Sequence, residues 1–169
     1  MTRYTLRRCL LAASMIIVTS CGDSTGPTAT LPSPNATPPP ATQIGPLVLS
    51  DRGCTYAGPA QIGAGPAALK MTNETSMQFN LDIWKLIEGH AYAELDAHIK
   101  EEQRRAAAGE PELGHPSFAT LVDQESVRSS TETKIISTLM PGTYGFVCIA
   151  FGTQGPAAIW PAGPLSVVA

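Results

Sequence analysis

Apolar and polar residues alternate with a period of two along several stretches of the chain, the spacing of a half-buried strand. Met77, Phe79, Leu81 and Ile83 alternate with Gln78, Asn80 and Asp82, so one face of a strand is buried. At Trp84 and Leu86 the apolar set changes parity, which predicts a bulge or a sheet corner. Leu69 and Met71 alternate with Lys70 and Thr72 after a Gly65-Pro66 break, and Ile135, Ser137 and Leu139 alternate with Lys134, Ile136 and Thr138. Met140-Pro141-Gly142-Thr143 suits a type II turn, proline presetting φ and glycine supplying a positive one. From Thr143 to Phe151, Tyr144, Phe146 and Cys148 share one face and Val147, Ile149 and Phe151 the other. Both faces are apolar, so this strand is central. Leu165 to Val168 adds a last strand. One stretch breaks the pattern. His90 to Ala108 carries Tyr92, Leu95 and Ile99 at helical spacing, a narrow stripe that predicts an inserted helix packed by one edge onto a sheet. Asp96 with Lys100 and Glu101 with Arg105 stand at i,i+4, and Gly109 with Pro111 signals the stop.

The N-terminal region lacks these patterns. Arg3, Arg7 and Arg8 precede a short apolar run, Leu10 to Val18, the layout of an export signal over 1–20. Val18-Thr19-Ser20-Cys21 resembles the lipobox of bacterial lipoproteins. That resemblance implies thioether lipidation of Cys21, cleavage before it, and attachment to a bilayer, with the protein facing the periplasm or exterior of the cell envelope. Residues 21–46 are rich in proline and threonine, including Pro38-Pro39-Pro40, and read as a disordered linker. The folded domain is expected over 47–169, enough for one self-sustaining core. Composition narrows the class further. The chain has 169 residues, 43% hydrophobic and 15% charged, which excludes a coiled coil, a multi-domain enzyme and a charge-rich disordered chain. A net charge of −3 argues against a nucleic-acid partner. No apolar run reaches the roughly 18–20 residues of a spanning helix.

Of four cysteines, Cys9 lies in the signal and Cys21 in the lipobox, leaving Cys54 and Cys148 for an oxidising compartment. They can form a disulfide, or Cys148 can be a metal-binding thiolate. The second possibility comes from Leu139-Met140-Pro141-Gly142-Thr143-Tyr144-Gly145-Phe146-Val147-Cys148, which resembles the signature of cupredoxins, the blue-copper β-sandwich proteins. Asp51-Arg52-Gly53-Cys54-Thr55-Tyr56 looks like the opening of cupredoxin-like bacterial lipoproteins. The resemblance implies a mainly β, cupredoxin-like Greek-key sandwich with one inserted α-helix. Such a copper site needs two imidazoles beside the thiolate, usually with an axial methionine. The segment 149–160 contains neither histidine nor methionine, and no histidine lies near 78–80, where the family carries its upstream ligand. The expectation is therefore the fold without blue copper, no cofactor, and Cys148 paired with Cys54.

His90, Glu94 and His98 recur along one helix face, but the two histidines stand about 12 Å apart along the axis, too far for one metal ion. Glu94 and His98 could supply two ligands of a site completed from elsewhere. Otherwise the three form a solvated face, with His115 exposed in Gly114-His115-Pro116. Ser126, Ser129 and Ser130 occupy no nucleophile elbow, and no catalytic residue is assigned. Tyr56, Trp84 and Trp160 are candidates for a recognition patch, Trp160 being placed in the loop where a cupredoxin carries ligands. These observations predict a membrane-anchored binding or structural protein for an envelope protein, peptide or small ligand. Copper handling at a non-standard site is the alternative, and an envelope enzyme a more distant one.

Overall fold

The computed structural model describes residues 39–152 and 155–169, and side chains outside 152–156 within that span. The expected signal segment, Cys21 and most of the expected linker lie outside the described residues. The elements in chain order are β1 (Thr42–Ser50), β2 (Gly53–Tyr56), β3 (Gln61–Gly63), β4 (Gly65–Asn73), β5 (Phe79–Leu86), α1 (Tyr92–Ala108), β6 (Ala119–Val127), β7 (Glu132–Leu139), β8 (Gly142–Gly152) and β9 (Gly155–Val168). A four-stranded sheet runs β2-β1-β4-β7 and a five-stranded sheet β3-β9-β8-β5-β6. The β1–β4 and β3–β9 pairs are parallel and the others antiparallel. This is the expected mainly β, two-sheet sandwich, with its helix inserted between β5 and β6 and the chain crossing from one sheet to the other between β7 and β8.

Period-2 patterning accounts for the interior. Phe79, Leu81 and Ile83 of β5 and Tyr144, Phe146 and Cys148 of β8 meet Leu47, Leu49, Leu69 and Met71 from the other sheet. A second apolar cluster lies on the far side of the five-stranded sheet, where Trp84, Leu86, Val147 and Ile159 pack against Leu95 and Ile99 of α1. β8 lies between β5 and β9 and is apolar on both faces, as its sequence requires. Pro38–Ala169 is a compact unit by itself and contains both clusters.

Several expectations need correcting. Folded structure opens before Leu47, because β1 begins at Thr42 and buries Ile44. Gly45-Pro46 disguises that strand, sitting where the register with β4 shifts between Ile44 and Leu47, a position at which a strand tolerates proline. The parity change at Trp84 is a change of face within β5. Phe79, Leu81 and Ile83 point into the sandwich, whereas Trp84 and Leu86 point toward the helix, and the expected irregularity is present as a register shift in the β5–β6 pairing, from Ile83–Asp123 to Trp84–Leu121. β9 starts at Gly155 rather than Leu165, so Trp160 lies in a strand, opposite Cys148.

The helix starts at Tyr92 rather than His90, because Glu94 closes its entrance. One Glu94 carboxylate oxygen accepts from the Ala91 N–H at 3.0 Å and the other meets His90 Nδ1 at 2.8 Å. Gly109 ends it with φ of 66°, a left-handed cap suited to glycine. The expected Asp96–Lys100 pair forms at 2.6 Å. The expected Glu101–Arg105 pair does not, since Glu101 pairs with Arg104, and both arginines reach Glu110 beyond the helix end.

Candidate functional site

The inner end of the candidate region is the disulfide. Cys148 in β8 and Cys54 in β2 are bonded across the two sheets, with their Cα atoms 6.2 Å apart, and Cys148 is fully buried. Around it Trp160 stacks on Phe79 at 5.7 Å between ring centroids, and Tyr56 tilts against Phe146 at 5.0 Å. The Tyr56 hydroxyl donates to the Pro59 carbonyl at 2.9 Å, and burial pushes its pKa up. At the start of β8, the Tyr144 hydroxyl donates to the Met140 carbonyl (2.8 Å) and accepts from the Met140 N–H (3.0 Å), tying down the entry to the strand. Gly142, the first residue of β8, takes φ of 147°, well beyond the value of about 80° at the third position of a type II turn, so glycine is needed there but the expected turn is replaced by a bend at Pro141.

A blue-copper centre does not fit this donor set. It needs a free thiolate and two imidazoles in one plane. The Cys148 sulfur is committed to Cys54 inside the sandwich, while His98 and His115 lie beyond the sheet, with Val147 and Ile149. Among the described residues no three of the His, Cys, Asp and Glu side chains are placed to hold one metal ion. The proposed aromatic patch does not assemble either. Tyr56 and Trp160 pack on the sandwich interior, whereas Trp84 is buried on the opposite face.

The outer face gathers the chemistry. α1 covers part of the five-stranded sheet, approaching closely at Gly145, where an added Cβ would stand 2.5 Å from Leu95 Cδ2. Beyond Gly109 the chain folds back along the helix. Glu102 accepts the Leu113 N–H at 2.7 Å, and His98 Nε2 lies 2.9 Å from the Gly114 carbonyl oxygen and donates to it. This places His115 edge-on to Trp84, their centroids 5.1 Å apart. Phe118 packs between His90 (5.3 Å) and His98 (6.0 Å), so the helix-face histidines act as separate groups.

Between α1, this returning segment and the sheet lies a cavity of about 170 Å³. Its apolar walls include Trp84, Ile99, Val147 and Ile149, and its polar lining includes Asp82, Glu102, Glu112, His98 and His115. Asp82 is only 4% exposed. Its Oδ1 accepts from Gln124 Nε2 at 2.8 Å. Burial raises its pKa, opposed by the Gln124 hydrogen bond and the nearby His115. The indole N–H of Trp84 is buried with no acceptor among the described residues. A second, larger cleft of about 640 Å³ opens beside the Pro141-Gly142 bend, with Lys85, Glu88, His90 and Thr120 along it.

Sequence reasoning missed Asp82 as a site residue, because an acid alternating with core positions reads as solvent-facing. It also missed Asn73, 1% exposed, whose amide ties the segment after β4 to itself and to Arg128 after β6. Its Nδ2 donates to the carbonyls of Met77 (2.8 Å) and Arg128 (2.9 Å), and its Oδ1 accepts from the N–H and hydroxyl of Thr75. Ser126 donates to Asn80 Oδ1 and Ser130 to the Thr75 carbonyl, so neither addresses a histidine.

The sequence matches no family model and no curated protein. Among solved structures it is similar to the Na-dithionite-reduced auracyanin of the photosynthetic bacterium Roseiflexus castenholzii, at 20% identity and a TM-score of 0.41, over 76% of this chain and 98% of that one. It is also similar to auracyanin A, a blue copper protein of the green thermophilic bacterium Chloroflexus aurantiacus, at 13% identity and a TM-score of 0.42, over 76% of this chain and 100% of that one. Auracyanin B aligns at 14% identity with a TM-score of 0.39, over 79% of this chain and 94% of that one.

Proposed function

We propose that the chain is an extracytoplasmic lipoprotein, held to a membrane through acylated Cys21, whose sandwich serves binding or structural work without blue copper. The observation that carries the non-copper reading is the partition of donors across one sheet. The thiol sulfur of the cupredoxin-like signature, that of Cys148, is bonded to Cys54 on the inner side, and the cavity-lining imidazoles stand on the outer side. Its partner is an envelope protein, a peptide or a small ligand.

Adding Cu(II) to the oxidised protein is expected to give no intense thiolate-to-copper band, since that transition needs a short copper–thiolate bond in an imidazole plane. An intense blue band at one copper per chain, lost in Cys148→Ser, would overturn the reading in favour of copper handling. Anchoring is tested separately. Growth with a tagged fatty acid should label the wild-type chain and leave Cys21→Ala unlabelled, because one cysteine carries the thioether. Label retained by the variant refutes the anchor.

A further inference from the structure

We propose that the outer cavity binds a small organic amine: a primary ammonium joined to a short apolar body that also carries a hydrogen-bond acceptor. The inference rests on the reading of the chain as a binding domain and names a ligand class for it. At about 170 Å³ the space is smaller than the roughly 300–1,000 Å³ of pockets for drug-sized molecules, so the ligand is small.

Charge selects its head group. Three carboxylates line the cavity, those of Asp82, Glu102 and Glu112, and no lysine or arginine among the described residues does. The imidazoles of His98 and His115 share the lining, but carboxylates outnumber them, and a concave site of that balance with low-dielectric walls attracts positive charge. Within it Asp82 is the buried member, with Oδ1 taken by Gln124 and Oδ2 without a hydrogen-bond partner among the described residues. A buried carboxylate is costly unless paired, and burial already holds its pKa up. An ammonium at Oδ2 supplies both the counter-charge and the missing donor.

Trp84 supplies the second requirement. It stands two residues from Asp82 on the same face of β5, and strand geometry sets their Cα atoms about 7 Å apart. Its N–H has no acceptor among the described residues and is closed to solvent, so a ligand that brings an acceptor must displace part of the lining to reach it. The apolar body follows from Ile99, Val147 and Ile149, with Phe151, 41% exposed, also lining the cavity. An α-amino amide combines the three features in few atoms.

The test is calorimetric titration of L-phenylalaninamide into Pro38–Ala169, the unit that contains both apolar clusters and the disulfide. One saturable site is expected, at least about tenfold tighter than for 3-phenylpropionamide or 3-phenylpropionate, which lack the ammonium. Asp82→Asn, which keeps the shape and the Gln124 contact, should weaken binding by about tenfold or more. Should that variant fold poorly, Glu112→Lys at an exposed position should still weaken it by about threefold. The Trp84 indole N–H resonance should move on adding L-phenylalaninamide and stay in place with 2-phenylethylamine, which has no acceptor. No saturable binding, equal binding of 3-phenylpropionate, or affinity unchanged in both variants overturns the proposal. These outcomes are independent of the copper titration, whose failure would strike the non-copper reading instead.

Discussion

Reducing the Cys54–Cys148 bond is expected to lower the thermal midpoint of the domain by roughly 10 °C or more. The bond joins residues 94 apart in sequence and links the two sheets. For a loop of that length the chain-entropy account gives up to about 4.7 kcal/mol, because the cross-link removes extended conformations from the unfolded ensemble. In a domain of this size each kcal/mol moves the midpoint by about 3–5 °C, so even half of that stabilisation is readily measured. The double variant Cys54→Ala, Cys148→Ala should fall by a similar amount and then be insensitive to reductant. A midpoint that reductant leaves within about 2 °C, or two free thiols titrating in the exported protein, would refute the cross-link.

The second large effect is expected at Asn73. Replacing it by alanine removes two donors from the Met77 and Arg128 carbonyls and one acceptor from Thr75. Each group left buried without a partner costs about 1–3 kcal/mol, and a total of about 3–5 kcal/mol is expected in denaturant unfolding. Asn73→Asp should be nearly as harmful at neutral pH, since a carboxylate faces two carbonyl oxygens and donates to neither. Lowering the pH should recover part of the loss, because protonation restores one donor and removes the charge. A loss below about 1 kcal/mol in Asn73→Ala would show that water replaces the amide.

Why Asn73 and Asp82 escaped the sequence reading is instructive. Period-2 alternation reports which residues share a face, and it located β4, β5, β7 and β8 because their inner faces are strongly apolar. It says nothing about what covers the second face. The register does shift at Trp84 in the β5–β6 pairing, as its pattern suggested, but what buries Trp84 and Leu86 is α1, which lies over the outer side of β5. Asp82 reads as solvated for the same reason, until the segment around His115 folds across it. β6 was missed because it is a mostly polar edge strand, with few buried side chains to mark it. Proline concealed β1 and most of β9, whose run contains Pro161 and Pro164 beside a register shift. Counting left the Cys54–Cys148 pairing as one of two possibilities, and the missing histidines favoured it over a metal-bound Cys148. The cavity was not, since it joins residues from β5, α1, the returning segment and β8 through tertiary contacts of no regular spacing.

The thin attachment of α1 has a consequence for motion. Leu95 and Ile99 are its buried residues, with Tyr92 half-buried beside them, and the rest of the helix faces water or neighbouring charges. An element held by so few apolar contacts can lift away at a free-energy cost well below that of unfolding the whole domain. Its backbone amides then exchange with solvent through brief detachments, while those of β8, packed on both faces, wait for global unfolding. Such a detachment would also open the cavity, which lies between α1, the returning segment and the sheet.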